Sequence, residues 1–219
     1  MTTLPDGLHV RPVQVAVAVQ RQAGLVAITS KLAADSSPAA AQVVGEGLVR
    51  DLARKLDSAY FGSTVTNGPS GLLSIASTSV DAGDAWADLD AFEEAKSVAE
   101  QHNTIVDAFV CSPATAVTLA TLKQFTTAGS NVALLQNDPT APASRVIGGV
   151  PLLTSPAIAD NVVWSIPQNR VLVAMRQDAS VVTDTSVFFG SDRVAVRATI
   201  RLSWGFTDPA AVAKIAPTP

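Results

Sequence analysis

The sequence is poor in the residues that build chemical sites. Of its 219 residues one is cysteine, two are histidine and one is tyrosine. A lone thiol, Cys111, closes no disulfide within the chain, and with only His9 and His102 beside it a structural zinc site would also need carboxylate ligands. Metal chemistry is therefore not expected. Charged residues make up 16%, well under the quarter or so of an average soluble domain. No stretch approaches ~18 uninterrupted apolar residues, so no membrane-spanning helix is expected. Met1 to Pro12 hold neither a basic stretch nor an apolar one, and the protein is expected to stay where it is made. With 15 Lys and Arg against 19 Asp and Glu the net charge is −4, which leaves local basic patches but no global field to attract nucleic acid. Apolar residues, by contrast, are plentiful at 47%. That excludes disorder over most of the length, because disordered segments are apolar-poor and charge-rich. The length accommodates one large domain or two small ones.

Along the chain, VQVAVAV at 13–19 places valine at every odd position, the period of a half-buried strand, and a strand is expected over 13–30. Ser36 or Ser37 followed by Pro38 is a cap-and-proline helix start. Val44, Leu48, Leu52 and Leu56 then recur every four residues, giving a long helix to about Tyr60. Residues 62–71, with three glycines and a proline, form a turn or loop. A second helix is expected from about Asp84 to His102, its acidic residues mostly in the first turns. Val106 to Cys111 reads as a buried strand. Ser112-Pro113 repeats the capping device and opens a helix to about Gln124, with Leu119 and Leu122 facing inward. Residues 126–144 form a long polar loop, a class usually functional or mobile. Strands follow: VIGGVPLLTS, NVVWSI, RVLVAM, and a hairpin of 179–189 with 193–206 around Gly190-Ser191-Asp192. Two lobes result, an elongated one from the two ends of the chain and a compact one at about 67–178.

The candidate chemical sites reduce to structural roles. The acidic cluster from Asp81 to Glu94 lacks the spacing of a calcium loop and reads as a solvated face. Ser70 in GPSG lacks the spacing of a nucleophile elbow and reads as a turn. Cys111 ends an apolar run and reads as a small buried side chain. His102 suits the negative end of a helix. Gly148-Gly149 precedes a strand rather than opening a helix, so it is a turn and not a phosphate cradle. A chain with so little charge and no acid/base pair, metal cluster or nucleotide motif fits a structural or interaction protein whose surface is covered by copies of itself.

Five stretches carry a family resemblance. ITSKLAADS (28–36) resembles a "vSkElleDs" pattern before a long spine helix, and LDSAYFGSTVTNGPSGLL (56–73) an "aeD.aflnGdG...p.Gil" pattern at that helix's end. VCSPATAVTLATLK (110–123) is similar to a "vmnp.t...L..lkd" helix, VIGGVPLLTSPAI (146–158) to an "llG.Pv..s..m" turn, and VRATIRLSWGFTDPAAVAKI (196–215) to a closing "vr...R.g..v..p.A...l" strand. In this order, over about residues 13 to 215, they resemble the phage major capsid proteins of the HK97-like fold. The resemblance implies an α+β fold with a P-domain (residues 1–66 and 179–219: strand, spine helix, terminal hairpin) and a mixed α/β A-domain (67–178). It implies a non-enzymatic, self-assembling subunit of a phage or prophage shell, made in the bacterial cytoplasm and residing in the virion capsid, with no cofactor, membrane or small-molecule substrate. Its partners would be copies of itself, packaged DNA, and scaffold or portal proteins. Encapsulin nanocompartments share the fold and are the alternative, with a small α/β enzyme behind them.

Subunit contacts are expected from Gly129, Asn131, Asn137 and Asp138 in the long loop at the capsomer axis, and from Asp192 and Arg193 around the threefold axis. Some family members crosslink a Lys of the extended E-loop to an Asn of the final hairpin with help from a carboxylate. Matching back from Arg201 through Arg197 puts Asp192 at the Asn position and Thr199 at the carboxylate position, while the first lysine here is Lys31. Assembly is thus expected to be non-covalent. Relative to the family, the N-terminal arm and most of the E-loop are expected to be missing. Strand 13–19 would then keep an unpaired edge, and closed shells would depend on the missing segment.

Overall fold

A computed structural model describes residues 20–31, 39–63, 69–124, 132–135 and 145–218. The described strands form two sheets. The first has three antiparallel strands: β1 (Gln20–Thr29) and β7 (Val171–Asp184) flank β8 (Arg193–Phe206). Alternation along β8 sets its two faces. Val196, Ala198, Ile200, Leu202 and Trp204 are buried on one side, because the long helix α1 (Ala39–Phe61) lies against it. Leu48 and Leu52 of α1 are buried, with Val44 and Leu56 packed alongside. The four-residue spacing read from the sequence therefore is one helix face, though the expected capping residues Ser36, Ser37 and Pro38 lie outside the described residues.

The second sheet holds six short strands in the order β2 (Thr78–Asp81), β9 (Ala213–Ala216), β6 (Val163–Ile166), β3 (Ala108–Cys111), β5 (Val150–Thr154) and β4 (Arg145–Ile147). Pairs β2/β9 and β3/β5 are parallel and the rest antiparallel. Side chains alternate across it, so it is covered on both faces. Phe109 and Cys111 enter a core with Phe92 of α2 (Asp90–Gln101) and Leu119 of α3 (Pro113–Thr121). Val110 enters the opposite one with Leu72, Trp164 and Val212. Ser112 caps α3 as its sequence implies: its Oγ accepts the Thr115 N–H at 3.2 Å, and Pro113 opens the helix. Gly148 and Gly149 both adopt positive φ (54° and 84°) in the turn joining β4 to β5, a backbone that glycine reaches without steric cost.

Several expected boundaries move. The helix expected from Asp84 starts at Asp90. Trp86 is buried against Phe92, with ring centroids 5.8 Å apart, and the Asp88 carboxylate accepts the Asp90 N–H at 3.2 Å; a tertiary anchor and a local side-chain turn thus replace the first helical turn. α3 stops at Thr121, three residues short of Gln124, where Lys123 bridges to Ala133. RVLVAM and the strand expected at 179–189 are not separate. β7 runs unbroken from Val171, shifting register around Met175, Gln177 and Ser180, and ends at Asp184 rather than residue 189. Asp184 accepts both the backbone N–H and the hydroxyl of Ser186, at 2.7 and 2.6 Å, and this turn ends the strand. The expected division at 178/179 thus falls inside β7, and Ala213–Ala216, expected beside the terminal hairpin, hydrogen-bonds within the six-stranded sheet. Strand 193–206 has the expected bounds; the VQVAVAV segment lies outside the described residues.

The two sheets meet around the end of α1. Trp204 of β8 donates its indole N–H to the Ser70 carbonyl at 2.8 Å and stands edge-on to Tyr60 at 5.3 Å. Gly71 passes so close to the helix end that a Cβ there would sit 2.3 Å from the Gly62 carbonyl oxygen and 2.4 Å from that of Ala59. Nearby, the His102 ring nitrogen Nδ1 pairs with Asp208 at 2.8 Å, and Arg170 donates to the carbonyl of His102 at 2.7 Å.

Candidate functional site

Gly129, Asn131, Asn137 and Asp138 lie outside the described residues, but the base of their loop is defined. The Gln124 N–H donates to the Val132 carbonyl (3.0 Å) and the Leu134 N–H to that of Leu122 (2.8 Å). Leu135 is buried in the core with Leu119 and Phe109. The loop is thus rooted in the six-stranded lobe through a short antiparallel ladder and an apolar anchor.

Asp192 and Arg193 stand together at the far end of the long hairpin. Asp192 adopts a left-handed conformation (φ 50°) after the turn Phe189–Ser191, and its carbonyl accepts the Ser30 N–H at 3.1 Å. This bond holds the hairpin tip to the end of β1. Arg193 opens β8 opposite Thr29 and is exposed. Phe189 beside them is 88% exposed, a large apolar side chain presented to solvent at the tip.

Several of the groups that could have carried chemistry are engaged or shielded. Cys111 is fully buried, which pushes its thiol up to about 11 from an ordinary 9.0 despite the opposing pull of Arg145; the thiolate that nucleophilic chemistry needs is therefore scarce near neutrality. Burial likewise raises Tyr60 to about 12. The Ser70 carbonyl serves Trp204, and Thr199 shares a hydrogen bond with Ser180 at 3.0 Å. Asp160 accepts from the Ser112 hydroxyl at 2.6 Å and so braces a helix cap. Asp81 and Asp88 accept neighbouring backbone N–H groups, and Glu93 pairs with Lys96 at 2.7 Å. Among the described residues no group of three or more His, Cys, Asp or Glu side chains could hold a metal ion.

Two surfaces remain that the sequence reading did not single out. An apolar groove of about 550 Å³ opens between the sheets, lined by Tyr60, Asp107, Val110, Leu153, Ile166 and Val173 among others. Leu153 and Val173 are more than half exposed. The other is the face of the three-stranded sheet turned away from α1. Arg193, Arg197 and Arg201 lie along it at every fourth residue of β8, with Leu25 and Val182 on either side of Arg197. Even spacing of one residue type along a two-period strand signals a shared face, and that signal was readable in the sequence.

Comparisons with known proteins bear on what these surfaces serve. A model of the Phage capsid family matches residues 12–216. No curated protein matches the sequence. Among solved structures, the chain is similar to one from Mycobacterium phage Bobi, at 17% identity and a TM-score of 0.70, over 100% of this chain and 80% of that one. It is similar to one from Gordonia phage Cozz at 14% identity and a TM-score of 0.72, over 100% and 79%. A chain from the capsid of an empty GTA particle matches at 20% identity and a TM-score of 0.71, over 93% and 73%.

Proposed function

The chain belongs to the phage capsid family and is a shell-forming major capsid subunit of the virion, and on that premise we propose how its parts serve the shell. The family match across residues 12–216 carries the reading, and the likeness of fold to phage and GTA capsid chains supports it. The three-stranded sheet with α1 serves as the P-domain, the six-stranded sheet with α2 and α3 as the A-domain. Each lobe has its own buried cluster of apolar side chains, so each keeps its shape while the other meets a neighbour. The loop at 126–144 sits at the capsomer axis, where its rooting in the A-domain core supports a ring of contacts. Asp192 and Arg193 contact neighbours around a threefold axis from the hairpin tip.

The subunit works by recognition and performs no turnover. Packaged DNA, scaffold and portal proteins are its further partners, and it is made in the bacterial host cytoplasm. The test is to collect particles from cells that express the chain with its neighbouring genes, image them by electron microscopy, and identify the shell protein by mass spectrometry. With the neighbouring gene products present to complete the arm and E-loop, closed shells built mainly of this chain are expected. Shells built of another protein would overturn the reading.

A further inference from the structure

Charge is unevenly divided between the three-stranded sheet and the rest of the chain. The strands β1, β7 and β8 carry five arginines, Arg21, Arg176, Arg193, Arg197 and Arg201, against two aspartates, Asp178 and Asp184, with no lysine and no glutamate. The rest of the chain holds ten basic and seventeen acidic residues. A chain of net charge −4 thus consists of a basic sheet and a strongly acidic remainder. We propose that the face of the three-stranded sheet turned away from α1 docks the acidic surface of a second copy of this chain, with Arg193, Arg197 and Arg201 as the charged contacts.

The register defines this face. Cross-strand partners in an antiparallel pair share a side, so Arg197 is flanked by Leu25 of β1 and Val182 of β7, and Thr199 by Ala23 and Ser180. The next positions along β8 point the other way and are buried under α1. Leu25, Val182 and Val187 are 59%, 49% and 61% exposed. With Ala195, Asp184 and Arg197 they line a shallow depression of about 100 Å³, room for a side chain or two. Among the described residues the three arginines of β8 have no ion pair, and Arg201 Nε is shielded from solvent without a hydrogen-bond partner. Asp184 is the one acid in register on this face, and the hydroxyl and N–H of Ser186 already occupy it, lowering its pKa, with Arg197 adding to the effect.

The composition of the face favours protein over nucleic acid as the occupant. Interface centres are rich in arginine and poor in lysine, and combine planar cationic forks with apolar contacts. A phosphate backbone would gain nothing from Leu25, Val182 and Val187 and would be repelled by Asp184. The complementary surface is present on every copy: Asp84, Asp90 and Glu94 are exposed on the acidic stretch before and within α2, and among the described residues none of them is in an ion pair.

This inference rests on the shell-forming reading, and its test separates the two. Arg193→Glu/Arg197→Glu reverses two exposed positions; circular dichroism checks that the variant is folded, and Arg197→Gln serves as the milder change if it is not. Self-association is followed by sedimentation velocity at low and high salt, particle formation by electron microscopy, and binding to a double-stranded DNA fragment by mobility shift. The expected result is association weakened about tenfold or more by the reversal, weakened by salt in the parent, and recovered when Asp84→Lys/Asp90→Lys is mixed with the arginine-reversed variant. If the reversed variant forms shells as readily as the parent, the docking face is wrong while the shell-forming reading stands. If it keeps self-association and loses DNA binding instead, the face belongs to nucleic acid and the proposal falls. If the parent chain itself never associates, both fall together.

Discussion

Replacing Trp204 tests the joint between the two sheets. The side chain is 7% exposed, lies edge-on to Tyr60 at 5.3 Å, and donates to the Ser70 carbonyl at 2.8 Å. A buried indole removes ~200 Å² from water, about 5 kcal/mol at 25 cal/mol per Å², in line with the roughly 3–5 kcal/mol found for large aromatics cut to alanine. Trp204→Ala should therefore cost about 4–5 kcal/mol. Trp204→Phe keeps a ring against Tyr60 and loses the indole N–H, about 1 kcal/mol for the hydrogen bond, plus a smaller packing loss, for about 1–2 kcal/mol in all. In a chain of this size each kcal/mol moves the melting temperature by about 2–4 °C. Thermal unfolding followed by circular dichroism should thus show drops of roughly 8–20 °C for alanine and 2–8 °C for phenylalanine. If the two variants fall equally, the hydrogen bond outweighs the packing and the account of the joint is wrong; if alanine costs under ~1 kcal/mol, the joint is not formed as described.

Three further outcomes are expected. Ser112→Ala removes the α3 cap and the partner of Asp160, and should destabilise by about 1–2 kcal/mol in urea unfolding; Ser112→Asn, which can still cap, should recover much of it. Cys111 and Tyr60 have folded pKa values of about 11 and 12, above their ordinary 9.0 and 10.0, so the unfolded chain loses these protons first. Their contribution is complete below about pH 9 and is lost as pH rises through 9 to 11 for the thiol and 10 to 12 for the phenol; a stability profile flat across that window would contradict the burial of both. Finally, the side chain of Asp192 has no amide nitrogen to leave when a lysine attacks, and the hydroxyl of Thr199, bonded to Ser180, cannot accept a lysine proton as a carboxylate would. Assembled material should run as one band near 22.5 kDa on a denaturing gel, and a ladder surviving boiling and reductant would refute this.

What the sequence made legible depends on how local the cause is. The Ser112-Pro113 start of α3 and the Gly148-Gly149 turn are decided within four residues, and both form where expected. The face of α1 was readable because its spacing repeats over four turns. Asp84 to Leu89 misled because acidic residues favour a first helical turn, whereas burial of Trp86 against Phe92 is a long-range event that composition does not reveal. The end of β7 misled for the opposite reason: alternation runs past Asp184, and the side-chain turn with Ser186 cuts it short. β2 and β9 were missed because Thr78–Asp81 and Ala213–Ala216 each hold a single large apolar side chain, whereas the equally short β3 and β6 lie in apolar runs. Of the candidate contacts, Asp192 and Arg193 do lie together at a hairpin tip, while the groove around Leu153 and Val173 joins residues far apart in sequence and had no local signal to give.

The place of β9 has a consequence in time. Ala213–Ala216 is inserted between β2 and β6, hydrogen-bonding to Thr78–Asp81 on one side and Val163–Ser165 on the other. Until residues 213–216 are synthesised, β2 has no described strand to pair with, and the apolar side of Val80 has no floor of Ala213 and Ile215 beside it. The nascent subunit therefore cannot complete its larger sheet early, however much of the chain has emerged, because a contact spanning well over a hundred residues closes it. A chain interrupted anywhere before Ala213 therefore lacks a finished six-stranded sheet.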